Sequence, residues 1–465
     1  MVFSSTVFLF IFLPAVFILH TLIPDRFMRV KNALLSVASL LFYAYGEPVY
    51  IVIMIASVTL NYFAARILAP LSGNKRKAVC TAAIAIDLAA LCFFKYVPWL
   101  VGVANSSFGL AIPVPGFTIP VGISFYTFQI LSYVADVYSG KVGVQKNFAD
   151  LFLYISFFPQ LIAGPIVKYG DIREQLAVRS LTLDKLTDGI RRFTLGLSKK
   201  VLISNSAAIV AAAAFDAENP SSLLCFSGAV CYCLQLYFDF SGYSDMAIGL
   251  ARMFGFDLCE NFNYPYSAIT IRDFWKRWHI SLTSWFREYV YFPLGGNRKG
   301  KTHTILNRLT VFFLTGLWHG ANFTYILWGM WHGLLMMFEQ LTGLERLAEK
   351  RVFRPLLRLY TLLTVMLGFI VFNSKSIGAA LKYIGRMFAF TGNPADALQL
   401  FSPFVVIMVA AGLLLSFPLT PKVKKLADKL PALDALSYIA CLPLLVLCVM
   451  SLAAGSFNPF IYYIF

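Results

Sequence analysis

The sequence predicts an all-α, polytopic transmembrane protein, and three observations predict it. The 465 residues are 59% hydrophobic and 13% charged, whereas soluble domains carry about 25% charged residues. Mean hydropathy is +0.72. Apolar runs of about 20 residues, the length of a membrane-crossing helix, recur along the whole chain. The runs are continuously apolar, unlike the short alternating strands of a membrane barrel.

The first run, residues 3–23, has no basic flank before it and no small-residue cleavage pattern after it. It reads as a retained helix rather than a signal peptide. Lysine and arginine then orient the chain. Arg26, Arg29 and Lys31 mark one loop, and Lys75, Arg76 and Lys77 another. Between them, Gly46-Glu47-Pro48 carries no basic residue. The positive-inside rule places the two basic loops in the cytoplasm and the middle one outside. Residues 96–140 and 201–251 contain no Lys or Arg, while 252–308, 346–358 and 422–429 are basic. The expectation is about twelve spans in a single domain of the plasma (inner) membrane, with both termini outside. Lys375, Lys382 and Arg386 fall outside, on an expected interfacial helix. Residues 149–167 lie between inside-type charges and contain Pro159, Gly164 and Pro165, so a re-entrant segment is expected there.

The formal net charge is +16. In a soluble protein that would suggest nucleic acid. Here it reads as loops against anionic headgroups, with a share left to attract an anionic substrate. The partner is the lipid bilayer, and no nucleic acid is expected. Eight cysteines, most within apolar runs and without a C-x-x-C pair, read as small buried filler.

Residues 271–289 are amphipathic. Trp275, Trp278 and Trp285 recur on one face with other apolar residues, and Arg272, Lys276, His279, Thr283 and Arg287 on the other. The plain reading is an interfacial helix with tryptophans at headgroup depth. It leaves His279 unexplained. The basic face, with the Gly295-Gly296-Asn297-Arg298-Lys299 turn beyond it, suits the phosphates of an anionic donor.

Residues 310–338 lack Asp, Glu, Lys and Arg but hold His319 and His332. A buried histidine is often a hydrogen-bonded core residue. An ionisable group at membrane depth is nonetheless a functional candidate, and a desolvated imidazole stays neutral, as a general base must. Were 319–332 one helix, the two rings would stand about 20 Å apart. Only 5 histidines exist in total, so a metal cage is not expected; no bound cofactor is expected either. Asp239 and Asp245 fall inside a predicted span, where they can bind a cation, pair with histidine, or serve structure. Asp87 and His20 read as structural.

Other chemistries lack their signatures. His279 and His319 are followed five residues on by Ser284 and Thr324, not by the aspartate of an H-x-x-x-x-D pair. There is no G-x-S-x-G elbow and no Walker loop.

Several stretches carry a resemblance. They are Val121 to Gln129, Phe157-Phe158-Pro159-Gln160 with the following residues to 166, 237–245, and Glu260-Asn261-Phe262-Asn263-Tyr264-Pro265-Tyr266. Next come Phe274-Trp275-Lys276-Arg277-Trp278-His279 on to 282, 293–298, Leu317-Trp318-His319-Gly320-Ala321-Asn322, and 458–462. In this order the chain resembles the membrane-bound O-acyltransferase (MBOAT) family, and within it the alginate O-acetyltransferase-like branch. The resemblance implies a ring of helices around a thinned centre. There a cytoplasmic donor meets an acceptor from outside. It also implies that His319 is the essential catalytic residue, that His279 is the second family histidine, and that His332 is less strictly required.

The expected reaction moves acetyl from acetyl-CoA, bound near Lys276, Arg277 and Arg298, to a polysaccharide hydroxyl. Transfer is direct or through an extracytoplasmic acetyltransferase or assembly partner. His319 is the expected base, and Asn322 or His279 the expected oxyanion donor. The alternatives are D-alanyl or other acyl transfer, a transporter using Asp239 and Asp245, and a non-catalytic scaffold.

Overall fold

A computed structural model describes residues 1–419 and 431–455. The described residues form helices joined by turns and contain no strand. Seven helices among them are long and apolar enough to cross a membrane, and Phe8–Leu22 and Pro403–Leu415 are shorter apolar helices. About twelve spans were expected. Beyond these seven, Lys301–His319 and Phe323–Thr342 are helices of 19 and 20 residues, and the apolar run at 149–167 is broken. The basic stretch 422–429 and the closing 458–462 motif lie outside the described residues.

The described residues divide into two compact units, 1–193 with 244–259, and 194–243 with 260–419 and 431–455. In the first unit α1 (Leu13–Leu22), α2 (Met28–Gly46), α3 (Ile51–Leu68), α4 (Gly73–Phe108), α5 (Ile123–Ser139), α6 (Phe148–Ser156) and α7 (Tyr169–Ala177) follow in order. Residues 123–134 of α5 are buried on every face, so this helix is core. Asp87 in α4 accepts from Ser57 Oγ and Asn61 Nδ2, both at 2.7 Å, as its structural reading requires.

The expected re-entrant segment is broken and buried. Helix α6 has nine residues, about 13 Å of rise against a hydrocarbon core of about 30 Å. It stops at Phe157, and a four-residue turn, Phe158–Leu161, follows. Side chains satisfy the freed backbone. Ser39 Oγ accepts from Phe158 N at 3.0 Å, Tyr154 Oη donates to Val167 O at 2.9 Å, and Gln160 Nε2 donates to Tyr154 O at 2.6 Å.

The helices α8 (Leu183–Ser198), α9 (Asn205–Asp216) and α10 (Ser222–Met253) come next. Within the second unit, a Cβ on Gly242 would stand 2.7 Å from Gly196 O, so glycine permits that backbone approach. Asp239 forms an ion pair with Lys200 at 2.7 Å, both side chains being almost fully buried. Within the first unit, Asp245 pairs with Arg192 at 2.9 Å. Both aspartates therefore have cationic partners, which accounts for them without a substrate or a transported ion.

The second unit continues with α11 (Ile271–Arg277), α12 (Ile280–Phe286), α13 (Lys301–His319), α14 (Phe323–Thr342), α15 (Arg354–Asn373) and α16 (Ile377–Met387). The expected interfacial helix near Lys375 is α16, which buries Ala380, Tyr383 and Met387 and leaves Lys382 exposed. Helices α13 and α14 form a hairpin. A Cβ on Gly316 would lie 2.4 Å from Tyr325 O, and one on Gly329 would lie 2.3 Å from Phe312 O. These two glycines let the backbones touch.

Candidate active site

The expected amphipathic helix over 271–289 is interrupted. Thr270 caps α11 by accepting from Asp273 N. Glu339 finishes that end, accepting from Ile271 N at 2.7 Å and Arg272 N at 3.4 Å. The helix ends at Arg277 because the segment Asn261 to Asn263 takes over its backbone bonds. Asn263 N donates to Arg277 O, and Ile280 N donates to Asn261 O, each at 2.9 Å. His279 sits in the break with φ 45° and ψ 56°, the left-handed region that L side chains rarely adopt.

This break turns His279 inward. It is fully buried rather than part of the basic face. Its Nδ1 lies 3.1 Å from Asn261 Oδ1. That oxygen also accepts from Ser281 N at 3.3 Å and Ser281 Oγ at 2.9 Å. An atom receiving the Ser281 N–H is an acceptor, so His279 Nδ1 carries the proton and Nε2 carries the lone pair. Nε2 makes no hydrogen bond to another side chain or backbone group. Burial pushes the His279 imidazole down to about 3, so the ring is neutral at pH 7. A neutral ring in this tautomer has no Nε2–H to offer an oxyanion, which corrects the expected donor role.

The tryptophans of this segment are core residues, not headgroup anchors: Trp275, Trp278 and Trp285 are all buried. Trp318 stands 6.2 Å from His279 and 4.7 Å from His319, ring centre to ring centre.

His319 is the last residue of α13 and is 3% exposed. Trp328 and Phe372 meet its ring edge-on at 4.9 and 5.2 Å. Gly320 ends the helix in extended backbone, where a Cβ would stand 2.3 Å from the Tyr325 ring. The chain then restarts as α14, so 319–332 is not one helix. His332 also packs against Trp328, ring centres 5.1 Å apart. Its Nδ1 lies 2.9 Å from Trp328 O and therefore donates to it. Gly368 makes room for the imidazole, since a Cβ there would be 2.7 Å from His332 Cε1.

Asn322 caps α14. Its side chain accepts from Thr324 N at 3.1 Å and donates to Lys375 O at 3.2 Å. The side-chain oxygen and one of the two amide hydrogens are thus engaged by the backbone.

A cavity of about 340 Å³ opens beside this cluster. Trp275, Phe286 and Phe312 give it aromatic walls, and Arg272, Lys276, Arg287 and Arg308 line it with positive charge. Arg272 is paired with Glu345 at 3.2 Å. Among the described residues, Lys276 and Arg287 form no ion pair. Thr315 also lines the cavity, one helical turn before His319 and on the same face. Trp275 lies between the cavity and the histidines, 5.6 Å from Trp328 and 5.3 Å from His332.

Two of the expected phosphate contacts lie elsewhere. Arg277 pairs with Asp273 at 2.8 Å and reaches toward Asn263 O. Arg298 is exposed in the turn after residue 295 and does not line the cavity. Lys276 does. Among the described residues no group of three or more His, Cys, Asp or Glu side chains is placed to hold a metal.

A family model described as MBOAT, membrane-bound O-acyltransferase family, matches residues 141–378, which contain all three histidines of the cluster. The chain belongs to this family. It is a multi-pass membrane O-acyltransferase. It is 39% identical to a probable alginate O-acetylase of Pseudomonas putida, over 100% of both chains. It is 33% identical to a peptidoglycan O-acetyltransferase of Helicobacter pylori, over 84% of this chain and 80% of that one. A teichoic acid D-alanyltransferase of Bacillus subtilis is 31% identical over 55% of this chain and 69% of its own. Full-length similarity to the first and partial similarity to the last agree with the alginate O-acetylase-like branch.

Proposed function

We propose that this enzyme transfers acetyl from acetyl-CoA to hydroxyls of an exported polysaccharide at the inner membrane. The observation that carries this reading is the basic, aromatic cavity whose wall includes Thr315, one turn from buried His319. An anionic thioester donor fits Lys276 and Arg287 at the mouth, on the side the positive-inside rule makes cytoplasmic. The similarity to an alginate O-acetylase and a peptidoglycan O-acetyltransferase supports a glycan hydroxyl as the acceptor.

In the proposed step the acceptor oxygen attacks the thioester carbonyl. His319 takes the hydroxyl proton as the C–O bond forms. The C–S bond breaks, and the proton passes to the leaving thiolate. His279 presents the Nε2 lone pair as a second acceptor. The surrounding rings exclude water, which limits hydrolysis of the thioester. Transfer is direct or relayed by an extracytoplasmic partner. Both termini lie outside in this reading.

The test of the donor is purified enzyme with radiolabelled acetyl-CoA and a glycan acceptor. Release of free thiol with label in the glycan supports the proposal. Label transferred only from another acyl donor, with acetyl-CoA inert, contradicts it.

A further inference from the structure

A second cavity, of about 620 Å³, lies wholly within the first unit. Asp25, Arg26, Arg179, Lys185 and Asp257 supply its charges. The carboxylates are already matched. Asp25 pairs with Lys31 at 2.5 Å, and Asp257 pairs with Lys185 at 2.7 Å and Arg252 at 3.7 Å.

Arg179 is not matched. It is 8% exposed. Its bonds go to neutral acceptors: Nε to Phe254 O at 3.1 Å, and Nη1 to Asn32 Oδ1 at 2.7 Å and Gln175 O at 3.2 Å. Its guanidinium rests on the Phe256 ring at 4.0 Å. Nη2 makes no hydrogen bond. Asp25 and Asp150 act on it only at longer range. A buried guanidinium without a carboxylate partner is costly unless an anion joins it.

The surroundings indicate which anion. Met28, Ala177 and Val178 line the same cavity. Val178 is 80% exposed, and Leu22, three residues before Asp25, and Leu183, two residues before Lys185, are 72% and 73% exposed. Such side chains suit acyl chains, not water. We infer that this cavity binds the phosphate of an anionic phospholipid headgroup, with Arg179 at its base and Arg26 at its rim. Planar guanidinium donors match phosphate oxygens, and basic groups next to a membrane segment attract anionic lipid.

The test uses the full chain, purified in detergent and freed of lipid. Thermal unfolding is followed against dioctanoyl phosphatidylglycerol, dioctanoylglycerol and sodium phosphate. A saturable rise is expected with phosphatidylglycerol and none with dioctanoylglycerol. Arg26→Gln should weaken the apparent affinity about tenfold, a change of about 1.4 kcal/mol, and Arg179→Gln should abolish the rise. Should Arg179→Gln fail to fold, the exposed Arg26→Gln still reads the site. Equal stabilisation of wild type and Arg26→Gln overturns the inference, as does equal stabilisation by dioctanoylglycerol. Sodium phosphate matching the lipid would overturn the lipid assignment and leave a site for soluble phosphate.

Discussion

Asn261 Oδ1 stands 3.1 Å from His279 Nδ1, and this contact decides which ring nitrogen carries the proton. It points the lone pair of Nε2 away from the Asn261 loop. Asn261→Ala should lower kcat by about tenfold or more, the lower end of general acid–base effects, with the donor KM unchanged. Asn261→Asp keeps an acceptor oxygen and should retain more activity than Asn261→Ala. Steady-state kinetics on the two variants check this. Equal losses in both would remove the positioning role.

The cavity predicts a split among the basic residues. Lys276→Gln and Arg287→Gln should each raise the KM for the thioester about tenfold, since a charge-assisted contact contributes about 1.5–3 kcal/mol. Arg298→Gln, outside the cavity, should leave it within about twofold. Arg277→Gln should show its effect in thermal stability, because it loses the Asp273 pair.

The Asp239 and Lys200 pair predicts a stability effect rather than a transport effect. Asp239→Asn removes the carboxylate paired with buried Lys200, a loss of about 3–5 kcal/mol. The companion change Lys200→Met in the same chain should recover part of it. Unfolding midpoints of the single and double variants measure the coupling. A fully stable Asp239→Asn protein would mean that the carboxylate is kept for another reason.

The all-helical membrane class was legible from composition and run length, and the buried His279, His319 and His332 stood out in the sequence as the candidate site. The breaks were not. Nothing in the periodicity of 271–289 announces that Asn261 and Asn263 take over the backbone bonds around His279, because that pairing joins residues about 18 apart. The hairpin at Gly320 was hidden in the same way. Gly316, Gly320 and Gly329 were its available signal, since closely spaced glycines in apolar helices mark backbone contact. Glu339, which secures α11, stands just past the charge-free segment, and its partners Ile271 N and Arg272 N are 68 and 67 residues away, beyond any local pattern. Asn322 reads as a polar residue beside a motif, but its position before Phe323 is that of a helix cap.

The hairpin carries its own prediction. Gly329→Val would force a side chain against Phe312 O, where even a Cβ stands at 2.3 Å. Overpacking costs about 1–3 kcal/mol, occasionally more. A lower unfolding midpoint is expected in detergent, with acetyl transfer falling because Trp328 and His319 shift together. An unchanged midpoint would contradict the packing.

Asp396 accepts from Ser221 Oγ at 2.6 Å and Ser221 N at 2.8 Å, tying the loop before α10 to the segment after α16. Burial alone would raise its carboxyl, but the Ser221 hydroxyl and amide and the Ala397 amide outweigh it and hold it below the ordinary value. A lowered folded value means the contribution is present above the unfolded pKa, about 3.9, and is lost as pH falls through the folded one. The protection of amides 221–224 against exchange, taken relative to the intrinsic rate at each pH, should therefore fall in acid in wild type. In Asp396→Asn that acid-dependent change should be absent.

In the proposed reaction His319 takes the acceptor proton, and its loss should abolish transfer. Base-labile acetate on exported polymers would be measured in cells with this protein, without it, and with His319→Ala at matched abundance. The account predicts that the variant loses acetate as fully as the deletion, on one polymer. Acetate retained by the His319→Ala cells would contradict it.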